Sequence, residues 1–302
     1  MTHPNSDTPV ASNTCANCDA ALGGDYCAQC GQSRSALQRP FLTLLTEALD
    51  GVLNWDGRLM TTFRRLFARP GKIARAYIDG KRQSHTPPLR LYLVVSLVFF
   101  ALMEVSGVRI VAVDSSVDES GDPNVAVTMF QRPRDGDAHV MTPEEQAIVL
   151  EGAREADISG PVERIVLRAM TAPEAVEQQA ASSASQAMIL MVFVFALLSG
   201  LFHPRRPIIE HAVHALYFHA ALLLPFAGFI LLGIYIPGLP IWGAVALALT
   251  ALFSMSAGFV LFDRGFYGSS WIGAILRSIP IMLGYVTGAV FVAIGLILLG
   301  GL

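Results

Sequence analysis

The chain has 302 residues, of which 53% are hydrophobic and 15% charged, where a soluble domain carries about 25% charged residues. That balance excludes a disordered chain, a collagen, a coiled-coil rod and an ordinary soluble enzyme, and it indicates a membrane-embedded protein with polar parts. The net charge of −3 hides an asymmetry: residues 1–90 hold 11 of the 21 Lys and Arg and 7 of the 24 Asp and Glu, whereas 108–178 hold 6 basic and 14 acidic residues.

Residues 1–14 are polar and read as a disordered tail, with neither the basic start nor the apolar core of a secretory signal. All four cysteines follow, as CANC at Cys15–Cys18 and CAQC at Cys27–Cys30. Two CxxC turns can present four thiolates tetrahedrally to one Zn²⁺, so residues 15–32 are read as a small zinc ribbon with a single structural zinc. Asp19 and Gly31 follow the two pairs as turn residues. The rival is a pair of disulfides, which a cytoplasmic location disfavours. Asp19, Asp25, Gln29 and Gln32 give the ribbon little positive charge, which argues against nucleic acid.

Residues 37–86 read as basic amphipathic helices lying at the membrane interface. Apolar residues recur with helical spacing from Phe41 to Leu53, then at Leu59, Met60, Phe63, Leu66 and Phe67, then at Ile73, Ala76 and Tyr77. Arg64, Arg65, Arg69, Lys72, Arg75, Lys81 and Arg82 are interleaved, a composition that suits anionic lipid headgroups. The same helices can pack on the ends of a helix bundle.

Five apolar stretches meet the length of about 20 residues that a spanning helix needs, near 89–107, 184–203, 208–235, 239–262 and 272–300. The last four are expected to form a four-helix bundle over 184–302. IPGLP, Ile236 to Pro240, separates the third span from the fourth. Lys and Arg cluster before the first span and recur at Arg205, Arg206, Arg264 and Arg277, which places the N-terminus in the cytoplasm and the C-terminus outside. The fold class expected is thus an all-α polytopic membrane protein with an N-terminal zinc ribbon. Between the first two spans lies an acidic loop, 108–180. A capping box of Thr142, Pro143 and Glu145 starts one helix there. Val162, Ile165, Val166 and Met170 suggest a second, and 114–140 reads as irregular.

Ionisable residues inside spans are costly and point to function. The candidates are Arg90 in the first span and Glu210, His211, His214 and His219 in the third. At 100° per residue, Glu210, His214 and His211 share one broad face, and His219 lies opposite. A Glu210–Arg90 pair is expected to tie the first span to the third. His211 and His214 at i, i+3 could share a metal or haem, relay protons, or simply be packed. EHAVH is not the zincin motif, since both the order and the spacing differ. Pro225 should kink the third span, and Gly284 and Gly288 permit close helix contact. No P-loop, GxSxG, catalytic carboxylate pair or dinucleotide fingerprint is present.

WDGR at 55–58, Thr61–Thr62, RPG at 69–71, Tyr77, GKR at 80–82 and PLRLY at 88–92, after the CxxC pairs, resemble a family of bacterial multi-pass membrane proteins known only as a domain of unknown function and typically headed by a zinc ribbon. The likeness covers about residues 15–100. It returns at EHAVHALYFHA, 210–220, where His214 and Tyr217 depart from the family's pattern. The resemblance implies this architecture and a bacterial origin, hence the inner membrane, and no activity. Three functions stay open. One is a non-enzymatic scaffold whose ribbon binds a protein partner and whose basic helices bind membrane lipids. Another is a transporter or lipid-handling protein using the polar face of the third span. The third is a membrane enzyme or redox protein with a second metal or haem at its histidines.

Overall fold

The computed structural model describes residues 13–34, 57–117, 123–132, 142–155, 168, 172–236 and 238–299. The tail, the amphipathic stretch 37–56 and the second loop helix expected near 162–170 lie outside these, save for Asn13, Thr14 and Arg168.

Two short helices lead into the membrane region: α1, Gly57–Ala68, and α2, Lys72–Ile78. α1 buries Leu59, Thr62 and Leu66, and α2 buries Ile73, Ala74 and Tyr77; of the apolar residues read as one face, Met60 and Phe67 are exposed instead, because the buried stripe of α1 runs through Thr62. The RPG turn between them depends on glycine. Gly71 has φ 74°, and a Cβ there would lie 2.2 Å from the carbonyl oxygen of Phe262. Gly265 answers it from the other side, where a Cβ would lie 1.9 Å from the Pro70 oxygen. Backbone meets backbone, so these helices are seated on the bundle.

Five helices are long and apolar enough to cross a membrane: α3, Pro88–Val105; α5, Pro173–Phe202; α6, Ile208–Tyr235; α7, Ile241–Tyr267; and α8, Trp271–Leu299. α5, α6, α7 and α8 close a ring in that order, and α3 packs outside it on α6. Tyr217 donates to the Thr86 carbonyl just before α3 at 2.6 Å, and Tyr235 donates to Ser106 just after it at 2.6 Å. α3 and α6 therefore run parallel, and α1 and α2 sit at the end where both begin, called here the ribbon end.

Inside the ring, Phe195 of α5 stacks on Phe218 of α6 at 4.6 Å and meets Phe259 of α7 edge-on at 5.6 Å. Such ring pairs prefer these geometries because each face is negative and each edge positive. Outward positions are equally apolar, with Leu201, Phe253 and Leu283 exposed. An outer apolar surface of this extent is what lipid contact requires.

Three boundaries differ from the sequence expectation. α5 begins at Pro173 rather than near 184, because its polar first turns continue the helix beyond the apolar part. α7 continues through Asp263 and Arg264 to Tyr267, since Asp263 is buried against Arg277 instead of marking the water boundary. The segment 114–140, expected to be irregular, carries strand: β1, Arg109–Val117, pairs antiparallel with β2, Pro123–Gln131. Beyond it comes α4, Pro143–Glu155, with the expected capping box: Glu145 accepts from the Thr142 N–H at 2.6 Å and donates its own N–H to Thr142 Oγ1 at 3.4 Å. Pro225 lies within α6 without ending it.

Candidate functional site

The four cysteines converge. Cys15 and Cys30 sulfurs lie 3.6 Å apart, as do those of Cys18 and Cys27, and all four lie within 4.8 Å of one another. A tetrahedral ion with metal–sulfur bonds of about 2.3 Å has sulfur–sulfur edges of about 3.8 Å, so the cluster is close to the size a thiolate-bound metal needs. All four thiols are free, and a disulfide would bring two sulfurs to about 2.05 Å.

The two knuckles have the same backbone. Cys15 accepts the N–H of Asp19 and donates to Ala20; Cys27 accepts the N–H of Gly31 and donates to Gln32, all at 2.8–2.9 Å. The fifth residue of each knuckle is left-handed, Asp19 at φ 60° and Gly31 at φ 71°, conformations that Asp and Gly tolerate best. N–H groups of Cys30 and Gln29 stabilise the Cys27 thiolate and draw its pKa down to about 7. Cys18, whose sulfur lies 3.6 Å from that of Cys27, is pushed the other way, up to about 12, so without a metal the pair holds one proton between them.

The ribbon is clamped to the chain leading into α3. Gln32 Nε2 donates to the Gly80 carbonyl at 2.8 Å, and its Oε1 accepts the N–H groups of Arg82 and Gln83, each at 3.2 Å. Asn17 Oδ1 accepts from the Ser84 N–H at 3.1 Å and from its hydroxyl at 2.9 Å. Gly80, at φ 100°, brings the loop so close that a Cβ would sit 2.8 Å from Ala16. Farther on, the Thr86 N–H donates to Thr62 of α1 at 2.9 Å. GKR is thus a seat for the ribbon. The clamping roles of Asn17, Gln32 and Thr62 had no sequence signal, because nothing in single polar residues announces a long-range clamp.

The polar residues of the spans are brought together only in part. Glu210 pairs with Arg75 of α2 at 3.2 Å and with Arg206 at 3.5 Å. The expected Arg90 partner is replaced because α2 folds back over the start of α6; Arg90 itself is buried at the start of α3. His211, His214 and His219 are all buried. His219 does lie apart from the other two, yet it too is inside, because α6 has neighbours on several sides. Its Nδ1 is 2.7 Å from the Ala215 carbonyl, which fixes the proton there, so Nε2 accepts from the Tyr285 hydroxyl at 3.0 Å. His211 Nδ1 lies 2.6 Å from the Tyr267 hydroxyl, and Gly200 leaves room for its ring. His214 is enclosed by Phe195, Phe218, Phe262, Phe266 and Tyr267, and neither ring nitrogen has a hydrogen-bond partner among the described residues.

A second buried group, not foreseen, lies beside His211. Tyr267 stacks on His203 at 3.7 Å, and Asp263 sits 3.6 Å from His203 and 3.3 Å from Arg277. Asp263 was read as the end of a span, so its burial had no sequence signal. Among the described residues, only the four cysteines bring three or more His, Cys, Asp or Glu ligand atoms close enough for one metal.

The seven basic residues of the interfacial stretch divide in two. Arg75 is held by Asp79 and Glu210, and Arg82 lies 5.2 Å over the Tyr77 ring. Arg64, Arg65, Arg69, Lys72 and Lys81 line a single cleft with His85.

No curated protein and no solved structure matches the chain. Residues 56–100, which carry α1, the RPG turn, the ribbon seat and the first part of α3, are similar to a family described as protein of unknown function (DUF3667).

Proposed function

We propose that this protein is a non-enzymatic scaffold of the bacterial inner membrane, with one structural zinc in its ribbon and the ribbon end in the cytoplasm. The observation that carries the reading is the clamp of Gln32 and Asn17 onto residues 80–84, which ties the ribbon to the loop that leads from the interfacial helices into α3. A closed set of four thiolates leaves no open position for catalysis and is suited to hold a surface in shape. Tyr26, 65% exposed at the ribbon hairpin, offers an aromatic anchor to a protein partner. Arg205, Arg206, Arg264 and Arg277 gather at the ribbon end, which supports the cytoplasmic orientation.

The test is a photocrosslinking amino acid in place of Tyr26 in living cells, with and without Cys30→Ser. A discrete protein adduct that disappears in the Cys30→Ser background is expected, with one zinc per chain in the purified parent. Adducts to lipid alone, or an adduct indifferent to the loss of the metal, would overturn the scaffold reading.

A further inference from the structure

The cleft between α1, α2 and the ribbon seat has a volume of about 820 Å³, within the range of ligand sites. Arg64, Arg65, Arg69, Lys72 and Lys81 line it, and among the described residues no carboxylate does. None of the five forms an ion pair among the described residues. Their neighbours on the same elements are all engaged: Arg75 with Asp79 and Glu210, Arg58 with Gln83 at 2.8 Å, Arg82 with the Tyr77 ring. Five cations gathered in one concavity repel one another and raise the local concentration of anions. His85 lies in that field: burial lowers its pKa most, the Lys81 carbonyl opposes this, and the charges of Arg65 and Lys81 lower it further. The rest of the wall is uncharged, from Thr61, Ala68, Ile73 and Ala76, with Met60 at the rim and 64% exposed.

We infer that this cleft binds an anion bearing two or more phosphate groups, and that the ribbon holds one of its walls in place. The charge count sets the multiplicity. A phosphodiester carries one negative charge and a monoester about two, so five cations exceed what a single phosphate can neutralise. Guanidinium groups supply paired N–H donors to phosphate oxygens, and Lys72 and Lys81 supply point charges. Lys81 and His85 stand on the loop that Gln32 and Asn17 clamp, so the site is complete only while the ribbon is folded. Two sources share this chemistry, a membrane lipid with a bisphosphate headgroup and a soluble polyphosphate. The inference goes beyond the scaffold reading and stands or falls separately from it.

The test uses the full chain in nanodiscs. One arm offers diphosphatidylglycerol in competition with phosphatidylglycerol and reads retained lipid by native mass spectrometry. The other offers inorganic tripolyphosphate to nanodiscs of phosphatidylcholine and reads binding by calorimetry. Arg64→Gln with Lys72→Gln should weaken binding at least about tenfold, since each charge-assisted contact is worth that much. The charge-matched control, Arg132→Gln with Arg205→Gln, should not. Gln32→Ala, which spares the cysteines, should weaken it as well. Preference for diphosphatidylglycerol without tripolyphosphate binding assigns the site to a lipid headgroup, and the converse assigns it to a soluble ligand. Binding in neither arm, or equal loss in the control pair, overturns the site. Undiminished binding by the Gln32→Ala variant overturns the ribbon's part in it.

Discussion

Glu210 shows how a carboxylate is kept at the ribbon end of α6. It lies in the first turn, where the helix dipole favours an anion, and Arg75 reaches it from α2. Both side chains are mostly shielded, so Arg75→Gln alone should cost about 1–3 kcal/mol, since it leaves the Glu210 carboxylate with the longer Arg206 contact only. Arg75→Gln with Glu210→Gln should cost less than the sum of the singles in thermal unfolding of solubilised protein. Additive losses would mean that the pair is not coupled. His214 invites the opposite experiment. A buried imidazole with no hydrogen-bond partner carries a penalty of about 1–3 kcal/mol. His214→Phe or His214→Leu should therefore raise the melting temperature, and a fall in both variants would show that the ring nitrogens serve an interaction the folded chain provides. The cysteines were legible from spacing alone, because CxxC is both a turn and a ligand pair. The Glu210–Arg90 pair was misread because depth in the membrane was inferred and lateral neighbours were not: Arg75 is distant in sequence and adjacent only once α2 folds back.

At the scale of elements, the contact between the RPG turn and α7 is the tightest among the described residues for which glycine is responsible. Gly265→Ala should drive α1 and α2 off the bundle and cost about 3 kcal/mol, the upper end of what overpacking does. Gly228→Ala, where a Cβ would meet nothing within 4 Å, should be tolerated. Equal stability of the two variants would refute the backbone contact. The ribbon seat should respond to acid. His85 is held neutral by burial and by Arg65 and Lys81, so its folded pKa lies below the ordinary 6.5. The unfolded loop then binds a proton that the folded loop refuses, and stability is full above pH 6.5 and falls as pH drops from there toward the depressed value. Amide exchange over residues 80–86 should speed up between pH 7.5 and 5.5, and His85→Gln should remove part of that response. An identical response in the variant would assign it elsewhere. The spans were legible because the bilayer fixes their length. The strand pair was not, although RIVAV and NVAVTMF are rich in β-branched residues, because the Asp and Pro around them are equally the marks of a loop.

For the whole molecule, the order of helices in the ring could not be read from sequence. Interior and lipid-facing positions are both apolar, so amphipathic periodicity, the usual guide to packing, carries no contrast here. That order predicts which parts depend on the metal. The main core cluster draws its residues from α1–α3 and α5–α8 and none from the ribbon. Chelation should thus leave helicity by circular dichroism unchanged while exposing residues 80–85 to protease, as the Gln32 and Asn17 clamp is released. A large loss of helicity would mean that the bundle needs the ribbon to stand.

The placement of α3 outside the ring also has a consequence for biosynthesis. Of the five spans among the described residues it is made first and, at 18 residues, is the shortest, about 27 Å long. Its partner α6 begins about 100 residues later, which at about 5–20 residues per second means a wait of roughly 5–20 s. Through that interval Arg90 and Tyr92, buried in the finished protein, have no α6 to cover them. A photoreactive group at Tyr92 on stalled nascent chains should therefore mark insertion machinery or lipid until α6 emerges, and α6 afterwards. The same adducts before and after would place the docking of α3 at a later step.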